Sequence, residues 1–205
     1  MLIAALALAV AAPTRLPPVE RCGGDPEFTA VRTRLGQVIQ KQDIDGLLSL
    51  MAQNVRVTFG GRYGRGDFRQ QWGRSKDQRE LWKELRRATK LGCATAIDGQ
   101  DEEYRAMPAM FVTGDDLDGF ETWVALPGAA MRSRPSLKAP VRMRLPAWTV
   151  LHEVNHDGGP WIEARTPRGR HGFVSTTQAR SIIDYRIVFG RRGGRWLITA
   201  FVAGD

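Results

Sequence analysis

Apolar positions change their spacing about halfway along this chain. From Phe28 to Leu91 they recur every three or four residues. Phe28, Val31, Leu35, Val38 and Ile39 make one stripe, and Leu47, Leu48, Leu50 and Met51 a short second one. Leu81, Trp82, Leu85, Ala88 and Leu91 make a third. This spacing predicts amphipathic helices. Asp25-Pro26-Glu27 supplies a start for the first: a capping carboxylate, a ring whose fixed φ suits the first turn, and an acid that favours the dipole. Ser75 with Asp77 can cap the third, and Gly92 ends it. Between them Val55 to Phe59 alternates like a half-buried strand stopping at Gly60-Gly61, and Gly64 leads into a helical turn or two ending at Trp72. Beyond Glu121 the helical period is gone. Short β-like runs broken by Gly, Pro and Asn continue to Tyr185–Phe189, a five-residue loop 190–194 and Trp196–Val202, which together predict a hairpin.

The chain opens on eleven apolar residues, Leu2 to Ala12, followed by Pro13, Arg15 and Pro17-Pro18. Eleven helical residues rise only about 16 Å, against roughly 30 Å of bilayer core, so this is no spanning helix. It fits the apolar region of a signal peptide over residues 1–11, with Ala9-Val10-Ala11 as the cleavage site and residues 12–24 as a linker. The expected location is periplasmic or secreted. In such an oxidising compartment the two cysteines, Cys22 and Cys93, invite one disulfide.

Thirty basic residues against 22 acidic give a net charge of +8. Most of the basic residues are arginines, a bias that points to coding preference, and no nucleic-acid partner is expected. The charge is segregated: residues 98–121 hold eight acidic side chains against Arg105, while residues 128–180 hold nine basic ones against Glu153, Asp157 and Glu163.

Within that basic segment, Ala130-Met131-Arg132-Ser133-Arg134-Pro135-Ser136 resembles the opening of bacterial SH3-like (SH3b) domains. Trp161-Ile162-Glu163-Ala164 is similar to the family's Trp-x-x-Val strand, and Gly169-Arg170-His171-Gly172-Phe173-Val174 to its Gly-x-x-Gly-Trp-Val ending. Pro146-Ala147-Trp148 departs from the family pattern after Leu145, and Phe173 stands for the commoner Trp. The resemblance implies a small β-barrel over about residues 126–180 that binds peptides or cell-wall material and performs no chemistry. Trp148, Trp161, Arg132 and Arg134 are its candidate ligand-binding residues.

The rest of the chain resembles nuclear-transport-factor-2-like domains. The resemblance rests on the first two helices, a strand ending at Phe59-Gly60-Gly61, a Gly-led helix with Phe68, and the closing Tyr-x-x-x-Phe and Gly-Arg-Trp-x-Ile hairpin. It implies an α+β cone over residues 25–125, with the barrel inserted before a hairpin, 181–205, that returns to the cone. Such domains often enclose a small-molecule pocket, and some are enzymes. Titratable side chains pointing into the cone would favour an enzyme; a cone filled with Phe, Leu and Val would favour binding or scaffolding.

His152-Glu153-Val154-Asn155-His156 spells the H-E-x-x-H zinc motif, which works only when both histidines share a helix face. Trp148 to Leu151 before it favour strand and Asp157 to Pro160 after it form a turn. On a strand the two histidines stand about 13 Å apart, beyond the reach of one ion. The sequence therefore predicts no metal, no cofactor and no catalysis. The fold class expected is α+β, and the function expected is that of an exported binding protein. The alternative is a small-molecule-binding protein or enzyme built on the cone.

Overall fold

The computed structural model describes residues 14–100, 102–114 and 116–204. The signal peptide expected at residues 1–11 lies outside the described residues. The chain is mixed α+β, built on two sheets.

Helix α1, Pro26–Lys41, starts where its cap predicts: Asp25 accepts the Phe28 N–H at 3.0 Å, and Gln42 closes the far end in a left-handed conformation. Helix α2, Ile44–Ser49, is capped by Asp43, which accepts from Gly46 at 2.9 Å. Helices α3, Arg65–Trp72, and α4, Ser75–Thr89, follow strand β1, Met51–Arg56. Ser75 does not cap α4. The helix begins there, and Arg74, with no side-chain cap bond, occupies the capping position. Gly92, with φ +76°, turns the chain out of α4.

Strands β2, Ala94–Ile97, and β3, Glu103–Met107, are followed by the one-turn helix α5, Met110–Thr113. The first sheet is completed by the last two strands of the chain, β11, Arg186–Arg192, and β12, Arg195–Val202, in the order β1-β12-β11-β3-β2. The closing hairpin thus joins the N-terminal half, as its two β-rich runs require: β12 pairs parallel with β1 and β11 antiparallel with β3. The hairpin loop is shorter than the expected five residues. Gly190 to Arg192 stay in the ladder, and Gly193-Gly194, both at positive φ, make a two-residue turn. A register shift between Val188 and Phe189 leaves Thr199 without a ladder partner on β11. It advances the side-chain phase of β12 by one, so that Phe201 joins Trp196 and Ile198 on the core face.

That core is mostly apolar, with the Arg105 guanidinium at its edge. Phe28, Leu35, Leu47, Phe68, Leu81, Trp82, Leu85, Phe189, Trp196 and Phe201 fill the space between helices and sheet. The rings of Phe68, Trp72, Tyr185 and Phe201 stack and tilt against one another at its end. Each fully buried large side chain contributes about 2 to 3 kcal/mol relative to exposure.

The chain between α5 and β11 forms the second sheet. Its strands are β4, Thr122–Ala125; β5, Ala130–Arg132; β6, Val141–Arg144; β7, Val150–Asn155; β8, Trp161–Arg165; β9, His171–Ser175; and β10, Ala179–Ser181. They pair antiparallel in the order β10-β4-β7-β8-β9-β5-β6. The closed barrel expected at 126–180 does not form: among the described residues no ladder joins β6 to β10. Pro140 and Pro146 bracket the short, largely exposed β6, and prolines lack the N–H that a further ladder would need. The sheet curls over a small core of Met131, Leu145, Leu151, Ile162, Val174 and alanines, and stays open on the β6 flank.

Two features join the sheets. Residues 14–22, expected as linker, run extended across both. Thr14 and Leu16 exchange backbone hydrogen bonds with Val150 and Trp148, and Val19 and Arg21 do so with Cys93. Leu16 seats in an apolar cluster with Met110, Val124, Val150 and Ile182. The expected disulfide Cys22–Cys93 fastens this strap to β2, with the two Cα atoms 5.6 Å apart. The second joint is a buried ion pair between Arg180 of β10 and Glu84 of α4, at 3.4 Å. No helix among the described residues is long and apolar enough to cross a membrane.

Candidate ligand-binding site

The open flank of the second sheet leaves a cavity of about 740 Å³ between β6, the β8–β9 turn and the N-terminal strap. Met143, Leu145, Pro146 and Pro167 supply its apolar surface, with the buried Met131 beneath, and Thr14, Thr149 and Thr166 its hydroxyl groups. Four arginines, Arg15, Arg142, Arg168 and Arg170, stand around it with His171. Apolar surface with a few convergent polar groups, in a volume of several hundred Å³, is the usual character of a small-molecule site.

Local chemistry holds the rim in place. Thr166-Pro167-Arg168-Gly169-Arg170 is a tight hairpin turn: Pro167 fixes its own φ, Gly169 takes φ +76°, and Gly169 N–H donates to the Thr166 carbonyl at 2.8 Å. The Thr166 hydroxyl accepts the Arg170 N–H at 3.1 Å. The turn therefore presents Arg168 and Arg170 from a fixed backbone. Arg142 donates to the His171 carbonyl at 3.0 Å, and Arg15 donates twice to the Ala147 carbonyl, at 3.1 and 2.8 Å. His171 pairs with Glu163 at 2.9 Å.

The residues singled out by the SH3-like resemblance sit elsewhere. Trp148, at φ +69°, is half-buried against the Leu16 cluster. Trp161 opens β8 opposite Ser175. Arg132 is held by the Ala139 carbonyl at 2.7 Å, and Arg134 lies exposed in the following turn. None of the four lines the cavity. Sequence reasoning missed the arginines that do, because they are spread from residue 15 to residue 170. The one signal for them was the excess of basic residues after residue 128.

The H-E-x-x-H segment is strand β7 and the turn after it, the geometry its neighbours predict. Glu153 accepts the Trp123 indole N–H at 2.6 Å, and His156 meets the Gly159 carbonyl at 3.1 Å and the edge of Trp123. The three metal-ligating side chains that come close together among the described residues are Glu20, Cys22 and Cys93, and the two sulfurs are already bonded to each other.

Among the described residues, the core between the helices and the first sheet holds no cluster of unpartnered titratable groups. Its buried ions are partnered. Arg105 lies between the rings of Phe28 and Trp196, at 4.5 and 4.4 Å, and pairs with Asp25 and Glu103. Arg180 meets Glu84 and Asp184, and Arg186 donates to the carbonyls of Ile183 and Gly204. Asp25 caps α1 while accepting the Trp196 indole N–H at 2.8 Å. The Phe28 N–H and the Trp196 indole hold its carboxyl below the usual range, and the Arg105 and Arg191 guanidiniums add to this.

No protein-family model matches the sequence, and no curated protein is similar to it. Solved structures are similar over most of the chain at low scores. A candidate ketosteroid isomerase from Shewanella frigidimarina is 11% identical with a TM-score of 0.30, covering 89% of this chain and 98% of that one. A protein of unknown function with a cystatin-like fold from Nostoc punctiforme is 11% identical with a TM-score of 0.29, covering 90% and 93%. An NTF2-like protein with a cystatin-like fold from Novosphingobium aromaticivorans is 12% identical with a TM-score of 0.28, covering 86% and 77%. Likeness at this level assigns no activity to the chain, and the SH3-like resemblance of residues 128–180 rests on its residues alone.

Proposed function

We propose that this chain is an exported, non-catalytic protein that binds a small molecule in the cavity on the open flank of its second sheet. The observation that carries the reading is the cavity itself, an apolar surface with four arginines around it, two of them on a turn braced by the Thr166 hydroxyl. The cone contributes by contrast. Aromatic and aliphatic side chains fill its core, and the buried charges beside that core are partnered. The disulfide favours an oxidising compartment and supports export. A peptide or cell-wall ligand on Trp148, Trp161, Arg132 and Arg134 is the weaker reading, because none of the four lines this cavity.

A thermal-shift screen of small molecules against the full chain and against Met143→Trp tests the proposal. Ligands that bind only the native state raise the unfolding temperature by mass action, and an indole at position 143 occupies the cavity. Compounds that stabilise the wild-type protein and not Met143→Trp are the expected result. Hits that stabilise both equally would place the site elsewhere.

A further inference from the structure

The cavity's charge is one-sided, and this narrows what it takes. Four guanidiniums face or rim it, while no Asp or Glu lines it. Arg168 and Arg170 form no ion pair or side-chain hydrogen bond among the described residues, and Arg15 and Arg142 are held by neutral carbonyls, which orient a guanidinium without cancelling its charge. Glu163, on the neighbouring strand β8, pairs with His171. Positive charge left uncompensated beside half-buried apolar surface is the complement of an organic anion. Guanidinium also offers the paired N–H donors that carboxylate and phosphate oxygens accept.

Resting on the proposed small-molecule reading, we infer that the ligand is an amphiphilic organic anion. Its apolar body lies against Met143, Leu145 and Pro146, and its carboxylate or phosphate monoester meets Arg168 and Arg170 at the turn, with Arg142 beside them. The backbone of that turn is fixed by Pro167, Gly169 and the Thr166 hydroxyl, so little ordering is needed to bring the two arginines to one head group. No bond is made or broken in this event; the protein holds the anion and releases it.

Calorimetric titration of the full chain with decanoate, decyl phosphate and decanol tests the inference. These share a tail and differ in head group. Both anions bind at least tenfold more tightly than decanol at low salt, and the gap narrows as ionic strength rises. Arg168→Gln with Arg170→Gln, both exposed turn residues without ion partners, weakens the anions at least tenfold and leaves decanol unchanged. A preference for decyl phosphate over decanoate, or the reverse, identifies the head group. Decanol binding as tightly as the anions, or a double variant that binds them like wild type, would overturn the anion inference and leave the cavity as a site for neutral molecules. If no probe binds the wild-type protein more tightly than Met143→Trp, the small-molecule reading falls and the inference with it. Met143→Phe replaces Met143→Trp should the larger ring disturb the sheet, as judged by circular dichroism.

Discussion

Glu84→Gln is expected to be among the most damaging single changes of a charged residue in this chain. Glu84 and Arg180 are both buried, with 3% and 0% of their side chains exposed, and they meet at 3.4 Å between α4 and β10. At an effective dielectric of about 20 their attraction is on the order of 5 kcal/mol, which offsets the cost of removing both from water. Burial draws the Arg180 guanidinium below its ordinary pKa, and the Asp184 and Glu84 carboxylates oppose that pull. Replacing Glu84 leaves Arg180 buried with Asp184, also at 3.4 Å, and the Tyr185 carbonyl at 2.6 Å. The loss should fall at the lower end of the range for a broken buried pair, about 3 kcal/mol, or roughly 6 to 12 °C in midpoint for a chain of this length. The converse change is milder. Arg180→Met refills the volume with an apolar side chain and leaves Glu84 paired with Arg87 at 2.8 Å and Lys83 at 3.8 Å, costing about 1 kcal/mol. Guanidinium denaturation of both variants and of the double variant measures the asymmetry and the coupling. A loss under about 1 kcal/mol for Glu84→Gln, or a larger loss for Arg180→Met, would refute the reasoning.

Three further outcomes follow from the same packing. Replacing Cys22 and Cys93 together by Ala opens a 71-residue loop and costs about 4 kcal/mol in the chain-entropy model, read as a fall in denaturant midpoint; an unchanged midpoint would mean the strap needs no covalent tie. Asp25→Asn keeps an N-cap and removes the charge facing Arg105 and Arg191. The folded carboxyl titrates below its unfolded value, so its contribution is present above pH 4 and is lost as pH falls through the folded value. The stability gap to wild type should therefore be widest near neutrality and close in acid, whereas a gap independent of pH would show that the charge is not what matters. Gly92→Ala puts a Cβ 2.1 Å from the Val19 carbonyl oxygen at a position with φ +76°, and should cost about 2 kcal/mol or more in thermal or chemical unfolding; a neutral outcome would mean the strap shifts freely.

What could be read in the sequence was what local chemistry encodes. Asp25-Pro26 starts α1, the Leu81–Ala88 stripe lies on the buried face of α4, and the Trp148-to-Pro160 flanks made β7 a strand against the pull of an H-E-x-x-H motif. The two cysteines pointed to each other because there were only two. What could not be read depends on distant partners. The first strand is Met51–Arg56, earlier than the alternating Val55–Phe59, because its parallel pairing with β12 decides where the ladder runs. The spacing of Trp196, Ile198 and Phe201 breaks period two and becomes intelligible only with the register shift opposite Val188. Pro17-Pro18 reads as linker, yet the adjacent Leu16 completes an apolar cluster between the sheets. The cavity was hidden for the same reason, since its arginines belong to a strap, an edge strand and a turn that only the folded chain brings together.

Methionine methyl groups offer the most direct test of the central claim, that the second sheet and not the first holds the ligand. Met131 and Met143 line the cavity, while Met51 and Met107 are buried in the core of the first sheet. With ¹³C-labelled methionine methyls, titration of the full chain with decanoate and with decanol is predicted to move the Met131 and Met143 resonances and leave Met51 and Met107 in place. Movement of Met51 and Met107 alone, or no movement of any of the four with either probe, would contradict it.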